Sequence, residues 1–241
     1  MLDSDGRAGA QNMAIDEALL FESDQSGTAT LRLYRFAPPC LSFGRNEPAL
    51  SRYDRAAIER LGIDVVRRPT GGRAVWHEHE VTYAVAAPIA AFGSLRDSYR
   101  AIHERLAHAL ARLGIAATLA PRSSARPSLD RGACFASPVG GEVVVEGKKM
   151  IGSAQVRRRG AFLQHGSILL DGSQELINAI SYQPSADGST TLTALAGRAV
   201  GFHEVAEAIV ATWGAAFPPT ASSRPLPPST VFSDPTWTWR C

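Results

Sequence analysis

Val143-Val-Val-Glu-Gly-Lys-Lys-Met-Ile-Gly-Ser-Ala-Gln-Val-Arg-Arg-Arg-Gly-Ala-Phe-Leu-Gln-His-Gly-Ser-Ile-Leu-Leu170 holds three strand-like runs separated by turns. Val143–Val145, Met150–Val156 and Phe162–Leu170 are rich in β-branched and apolar residues, and Gly147 and Arg159-Gly160 supply the turn chemistry. Connections this short join antiparallel neighbours, because a parallel pair needs a long crossover. Working outward, Thr30–Phe36, Leu41–Phe43, Ile63–Arg67, Ala74–His77, Thr82–Ala87 and Ile115–Ala120 read as further strands. A first helix is expected with Asn12 as its cap and Asp16 and Glu17 in its first turn. Others are expected over Tyr53–Leu61 (closed by Gly62), Ser173–Ile180 and Phe202–Phe217. The clearest helix is Leu95–Leu113, where Tyr99, Ile102, Leu106 and Leu110 recur at helical spacing. Strands and helices mix without βαβ regularity, so the fold class is α+β, a mostly antiparallel sheet with helices packed on it. Residues 1–217 read as one catalytic-sized domain. Residues 218–241 read as a Pro/Ser-rich tail packed on it through Trp237 and Trp239.

The bulk numbers fit that reading and exclude several classes. A chain of 241 residues with 45% apolar and 20% charged residues suits one globular domain with a small appendage. A net charge of +2 demands neither nucleic acid nor an anionic membrane. No apolar run is long enough to span a bilayer, and the polar, acidic N-terminus does not read as a secretory signal, so a cytoplasmic protein is expected. Cys40, Cys134 and Cys241 are irregularly spaced without CxxC, which argues against a disulfide framework and against zinc. Cysteine chemistry would then come from a single thiol.

Lys148 and Lys149 are the only lysines in the chain, against 23 arginines. Arginine serves wherever a fixed positive charge is enough, whereas lysine can be tuned by burial and can move a proton. In Arg67-Arg-Pro-Thr-Gly-Gly-Arg-Ala-Val-Trp-His77, adjacent glycines after a strand let the backbone approach a ligand, although for a lone Gly-Gly a plain turn with surface arginines is the commoner reading. His77 and His79 share a strand face but lack a third ligand, so no metal is expected. Cys134, among small residues in Arg131-Gly-Ala-Cys-Phe-Ala-Ser-Pro138, is either an accessible thiol or an inert buried one. Gly152-Ser-Ala-Gln155 and Gln164-His-Gly-Ser167 fall on neighbouring strands, so Lys149, Ser153 and His165 should converge on one patch.

Taken in order, Asn12–Leu20, Arg67–His77, Thr82-Tyr83, Gly147–Gln155 and Gln164–Leu170 resemble the biotin/lipoate protein ligase catalytic domain family, on its lipoate side. Within it, Ala-Cys-Phe-Ala-Ser-Pro ahead of the Gly-Lys-Lys segment is similar to the cysteine-dependent octanoyltransferase branch, and the Asn-Asp segment usual in the ligases is missing. The resemblance implies an enzyme that takes octanoate from acyl carrier protein, holds it as a cysteine thioester, and passes it to a lysine of the glycine-cleavage H protein or another lipoyl-domain protein. It implies Cys134 and Lys149 as the catalytic pair. A substrate pocket is implied from Arg68, Thr70, Gly71, Gly72, Arg73, His77, Gly152, Ser153, Ala154, Gln155, His165 and Gly166. No cofactor is required on this reading. ATP and Mg enter only if the chain is instead a lipoate–protein ligase. An octanoyl amidotransferase between lipoyl domains and a non-catalytic carrier-binding module also fit the same fold.

Overall fold

The structure, a computed structural model, describes residues 1–121, 140–185, 188–214 and 230–240. The chain begins with β1 (Leu2–Arg7), α1 (Gly9–Ser26), β2 (Thr30–Phe36) and β3 (Cys40–Phe43). Two short helices, α2 (Ala49–Arg52) and α3 (Arg55–Arg60), lead to β4 (Asp64–Arg67), β5 (Val75–His77) and β6 (Glu80–Pro88). Then come α4 (Leu95–Arg112), β7 (Thr118–Leu119), β8 (Val143–Val145), β9 (Lys148–Lys149), β10 (Ile151–Arg158) and β11 (Ala161–Leu169). The chain ends with α5 (Glu175–Ala179), α6 (Leu192–Ala196), α7 (Phe202–Trp213) and α8 (Pro235–Thr238).

The main sheet has the order β1-β2-β6-β11-β10, and two three-stranded sheets, β4-β3-β5 and β7-β8-β9, flank it. Among the described residues, β1–β2 and β3–β4 are the strand pairs that run parallel, beside one isolated parallel bridge between Lys149 and Ser189, so the expected α+β, mostly antiparallel class holds. The central strands β6 and β11 are buried along almost their whole length. Their side chains divide by period two between two cores. Val81, Tyr83, Val85, Phe162 and Ile168 pack on the side of α4 and α7. Ala84, Ala86, Ala161 and Leu163 pack on the side of α1. The small alanines on that second face let α1 lie close to the sheet. Each large apolar side chain buried here contributes roughly 1.5–3 kcal/mol of transfer free energy before entropy is counted.

Local readings differ from the structure where long-range contacts override propensity. Asn12 does not cap α1. The helix begins at Gly9, and Asn12 is buried inside it, where its Nδ2 donates to Arg7 O (3.0 Å) and Arg35 O (3.1 Å). Asp16 is therefore not a first-turn residue but a buried one facing the sheet. The expected Tyr53–Leu61 helix starts only at Arg55, capped by Asp54, because Tyr53 is extended and bridges to Ser181, and a separate short helix, Ala49–Arg52, precedes it. The Ile115–Ala120 strand shrinks to Thr118–Leu119, paired with β8. Val143–Val145 makes its hairpin with Lys148–Lys149, and the chain enters the main sheet only at Ile151. Leu2–Arg7 has poor strand propensity and is a strand only because β2 pairs with it.

Arg67 is fully buried and ties distant segments together. Its Nη1 donates to Gly44 O (2.7 Å) and Glu47 O (2.7 Å), and its Nε to Trp237 O (2.9 Å). Its Nη2 donates to Arg240 O (3.0 Å), while Trp237 Nε1 donates back to Arg67 O (3.1 Å). Trp239 is buried against Phe43.

Candidate active site

A cavity opens where β10 and β11 meet α1 and the turn after β4. Met13, Tyr34, Phe36, Arg68, Val75, His77, Thr82, Gly152, Ser153, Ala154, His165, Gly166 and Ser167 line it. Its empty space, open solvent at the mouth included, is about 340 Å³. Antiparallel register brings the two motif segments together: Gly152 faces Ser167, Ser153 faces Gly166 and Ala154 faces His165. Gly166 has to be glycine. A Cβ there would lie 2.4 Å from Gly152 O and 2.6 Å from Ser153 Oγ.

From the α1 side, a chain of charges and hydrogen bonds fixes His165. Its Nδ1 is 2.9 Å from Asp16 Oδ2, and its Nε2 is 2.6 Å from Thr70 Oγ1. Asp16 also accepts from Arg32 Nη1 (2.9 Å) and Tyr34 OH (2.8 Å). Burial alone would raise the Asp16 pKa, but the His165 hydrogen bond and the Arg32 charge overcome it and hold the carboxyl below its usual range. Burial lowers the His165 pKa, against the pull of Asp16. The pair is thus carboxylate and neutral imidazole. Nδ1–H donates to Asp16, and Thr70 donates its hydroxyl proton to Nε2.

His77 stacks on Phe36 with centroids 4.1 Å apart, and its Nδ1 lies 2.7 Å from Glu80 Oε1. Its Nε2 is 2.6 Å from Ser42 Oγ, which also accepts from Arg68 Nη1 (2.6 Å). Arg68 Nη2 reaches Gly71 O (3.1 Å) and Arg73 O (2.9 Å), so this guanidinium shapes the Gly71-Gly72 turn as well as lining the cavity. Gly72 has φ +97°, open to glycine and strained for other residues. Gly44 abuts the same turn, and a Cβ on it would lie 2.0 Å from Gly72 O.

A second polar chain comes from the opposite face of the sheet. His103, fully buried on α4, has Nδ1 2.7 Å from Gly141 O and Nε2 2.9 Å from Ser153 Oγ. Ser153 Oγ is 2.7 Å from Tyr83 OH, and Gln164 Nε2 donates to that phenol (2.8 Å). Burial lowers the His103 pKa to about 4, despite the Gly141 carbonyl, with the Lys149 charge adding to the drop.

The sequence-derived candidates therefore fall into groups. Arg68, His77, Gly152, Ser153, Ala154, His165 and Gly166 line the cavity. Thr70 stands behind His165, and Gly71, Gly72 and Arg73 form the adjoining turn. Gln155 is directed elsewhere, donating to Gln164 Oε1 (2.8 Å) and Ser98 Oγ (3.1 Å). Lys149 is buried on β9, not on the cavity wall, and its Nζ donates to Glu142 Oε1 at 2.7 Å. Cys134 lies outside the described residues, as does most of the Pro121–Arg131 loop. Asp16, His103, Tyr83 and Glu142 are site-forming residues that sequence reading passed over. Two signals existed: a carboxylate among the apolar positions of α1, and a histidine on the buried stripe of α4.

Comparison with known proteins shows the family and the fold. The model of the lipoyl protein ligase A/B catalytic domain matches residues 8–214. The octanoyltransferase LipM of Kyrpidia tusciae is 43% identical over 219 residues, covering 83% of this chain and 80% of that protein. The octanoyltransferase LipM of Symbiobacterium thermophilum is 37% identical over 229 residues, covering 88% of this chain and 83% of that one. Among solved structures, lipoate-protein ligase A bound with ATP superposes with a TM-score of 0.72 at 22% identity, covering 90% of this chain and 83% of that one. The bipartite lipoate protein ligase of Thermoplasma acidophilum superposes with a TM-score of 0.74 at 20% identity, covering 99% and 94%. At these identities the structural likenesses carry the fold, and the sequence relatives carry the kinship: the chain belongs to the lipoyl protein ligase A/B catalytic domain family.

Proposed function

We propose that this octanoyltransferase of protein lipoylation takes octanoate from acyl carrier protein, holds it as a thioester on Cys134, and passes it to a lysine of a lipoyl-domain protein such as the glycine-cleavage H protein. The observation that carries the reading is the identity of 43% and 37% to two octanoyltransferases over 83% and 88% of this chain. The cavity chemistry supports it. Met13, Tyr34, Phe36, Val75 and Ala154 offer an apolar wall to an uncharged acyl chain. The Asp16 and Glu80 carboxylates sit behind His165 and His77 instead of on the wall.

The thiolate of Cys134 attacks the octanoyl thioester carbon; a new C–S bond forms and the carrier's thiolate leaves. The acceptor's neutral amine then attacks the enzyme thioester. A C–N bond forms, the Cys134 C–S bond breaks, and one amine proton passes to the departing sulfur. Lys149 is the residue that favours the thiolate, through an ammonium held in place by Glu142. Thioester exchange and aminolysis need no ATP, no Mg and no other cofactor. A cytoplasmic location goes with this reading. Among the described residues, no helix is long and apolar enough to cross a membrane.

The test is intact mass after mixing the enzyme with octanoyl-acyl carrier protein without ATP. The expected result is a gain of one octanoyl group in wild type and none in Cys134→Ala. If mass is gained only with ATP and free acid, through an acyl-adenylate, the chain is a ligase and Cys134 is incidental.

A further inference from the structure

The hydrogen bonds around His103 run in one direction. Nδ1 faces the carbonyl of Gly141 at 2.7 Å, and a carbonyl can only accept, so Nδ1 carries a proton. The ring is fully buried and kept neutral, so Nε2 has only its lone pair. Ser153 must then donate its hydroxyl proton to Nε2, 2.9 Å away. With its proton committed, Ser153 Oγ accepts from Tyr83 OH at 2.7 Å. A bond from Tyr83 to His103 instead spans 3.5 Å and is the poorer one. Tyr83 in turn accepts from Gln164 Nε2 at 2.8 Å, and Gln164 Oε1 accepts from Gln155 Nε2 at 2.8 Å. A hydroxyl oxygen has two lone pairs. One is taken by Tyr83, no hydrogen bond between described residues takes the other, and Ser153 is among the residues that line the cavity.

We infer that Ser153 is the residue that receives and orients the attacking lysine amine, and that His103 is a positioning residue that keeps the Ser153 hydroxyl an acceptor. This rests on the octanoyl-transfer reading above. A neutral amine has two N–H donors and one lone pair. Giving one N–H to Ser153 leaves the nitrogen lone pair free to attack the thioester. A Ser153 hydroxyl pointed into the cavity would bind that lone pair and block the reaction. The thioester itself offers no N–H at its reacting carbon, so Ser153 serves the second half-reaction and not the first.

The experiment separates the halves. Octanoyl-enzyme formation from octanoyl-acyl carrier protein is followed by intact mass. Single-turnover transfer from the preformed octanoyl-enzyme to a lipoyl domain is followed separately. In Ser153→Ala, amine transfer falls about 10- to 100-fold more than acylation does, the loss of one hydrogen bond to a reacting group. His103→Leu gives the same split. His103→Gln, whose amide oxygen can accept from Ser153, recovers most of the rate, which a purely structural role for the imidazole would not predict. If His103→Leu does not fold, Ser153→Ala and His103→Gln still decide. Undiminished transfer in Ser153→Ala, or equal loss in both halves, overturns the proposal. A wild-type enzyme that takes no octanoyl group overturns the transfer reading and this proposal with it, and shows as a failure of acylation alone.

Discussion

His103 makes the native state sensitive to acid in a way that can be calculated. Burial lowers its pKa to about 4 from 6.5. Well above the upper value neither the native nor the unfolded chain holds the proton, and His103 contributes nothing to the pH dependence. As pH falls below it, the unfolded chain binds a proton that the native chain refuses, so stability is lost until pH nears the native value. Between about pH 7.5 and about pH 4.5 the linkage integral comes to about 2.5 kcal/mol. His165, whose pKa burial also lowers, adds its own loss of stability as pH falls, so the measured quantity is a difference. Urea unfolding of wild type and His103→Gln is followed at both pH values by far-UV circular dichroism. Wild type should lose about 2.5 kcal/mol more than the variant, a relative drop in melting temperature of roughly 5–10 °C for a chain of this size. Equal losses would mean that His103 is protonated in the native state or is open to solvent. The donor direction argued for Ser153 would then fail.

Three further outcomes follow from single contacts. Arg67→Ala strands the buried carbonyls of Gly44, Glu47 and Trp237, and should cost about 3 kcal/mol or more in thermal or urea unfolding. It should also loosen the packing of Trp239, read as a red shift in tryptophan emission. Gly44→Ala places a Cβ 2.0 Å from Gly72 O. The Gly71-Gly72 turn must shift, destabilising the fold by about 1–3 kcal/mol and lowering octanoyl-enzyme formation in the mass assay. Asp16→Asn leaves Arg32 buried with only Asp3 as a carboxylate partner, and should cost about 3 kcal/mol. Arg32→Met combined with Asp16→Leu should recover part of that loss in the same denaturation assay, since an apolar pair removes the desolvated charge.

What could be read in the chain was what short-range periodicity controls. The amphipathic stripe of α4 and the alternation in β2 matched their elements to within a residue or two. The neighbouring placement of Gly152–Gln155 and Gln164–Ser167 followed from one short turn, and β10–β11 pair in that register. Much of the cavity wall was named for the same reason. What stayed illegible depends on partners far along the chain. Asp16 and His165 are 149 residues apart, and Arg67 and Trp237 170 apart. No local pattern couples such positions. Asn12 illustrates the failure: its side chain suits a helix cap, but two carbonyls and Arg32 inside the fold claim it instead. Lys149 stood out by composition, yet its partner Glu142 did not, because a carboxylate before a valine run looks like any solvated turn residue.

The two histidines on opposite faces of the main sheet solve one physical problem in the same way. His165 gives its Nδ1 proton to a carboxylate, His103 gives its own to a backbone carbonyl, and each turns Nε2 to a hydroxyl, Thr70 or Ser153. Neither ring carries charge into the cavity. The Arg68 guanidinium already lines the wall, its protons given to Ser42, Gly71 and Arg73, and charged rings would add to it and hold an approaching ammonium off by like charge. Neutral rings leave the wall fit for an acyl chain and an uncharged amine, while the Asp16 carboxylate stays behind the wall with Arg32 as its counter-charge. Gly166 allows this arrangement. Without a side chain, β11 can pass Gly152 and Ser153 closely enough for both hydrogen-bond chains to end at one cavity. Any residue larger than glycine at 166 would push β10 away and break the Ser153 contacts with His103 and Tyr83 together. Gly166→Ala should therefore lose amine transfer as Ser153→Ala does, but with lowered stability as well. Ser153→Ala should melt as wild type, because Tyr83 can then turn its hydroxyl toward His103 Nε2. A Gly166→Ala enzyme with full stability and full transfer would show that the two chains do not depend on the close approach of these strands.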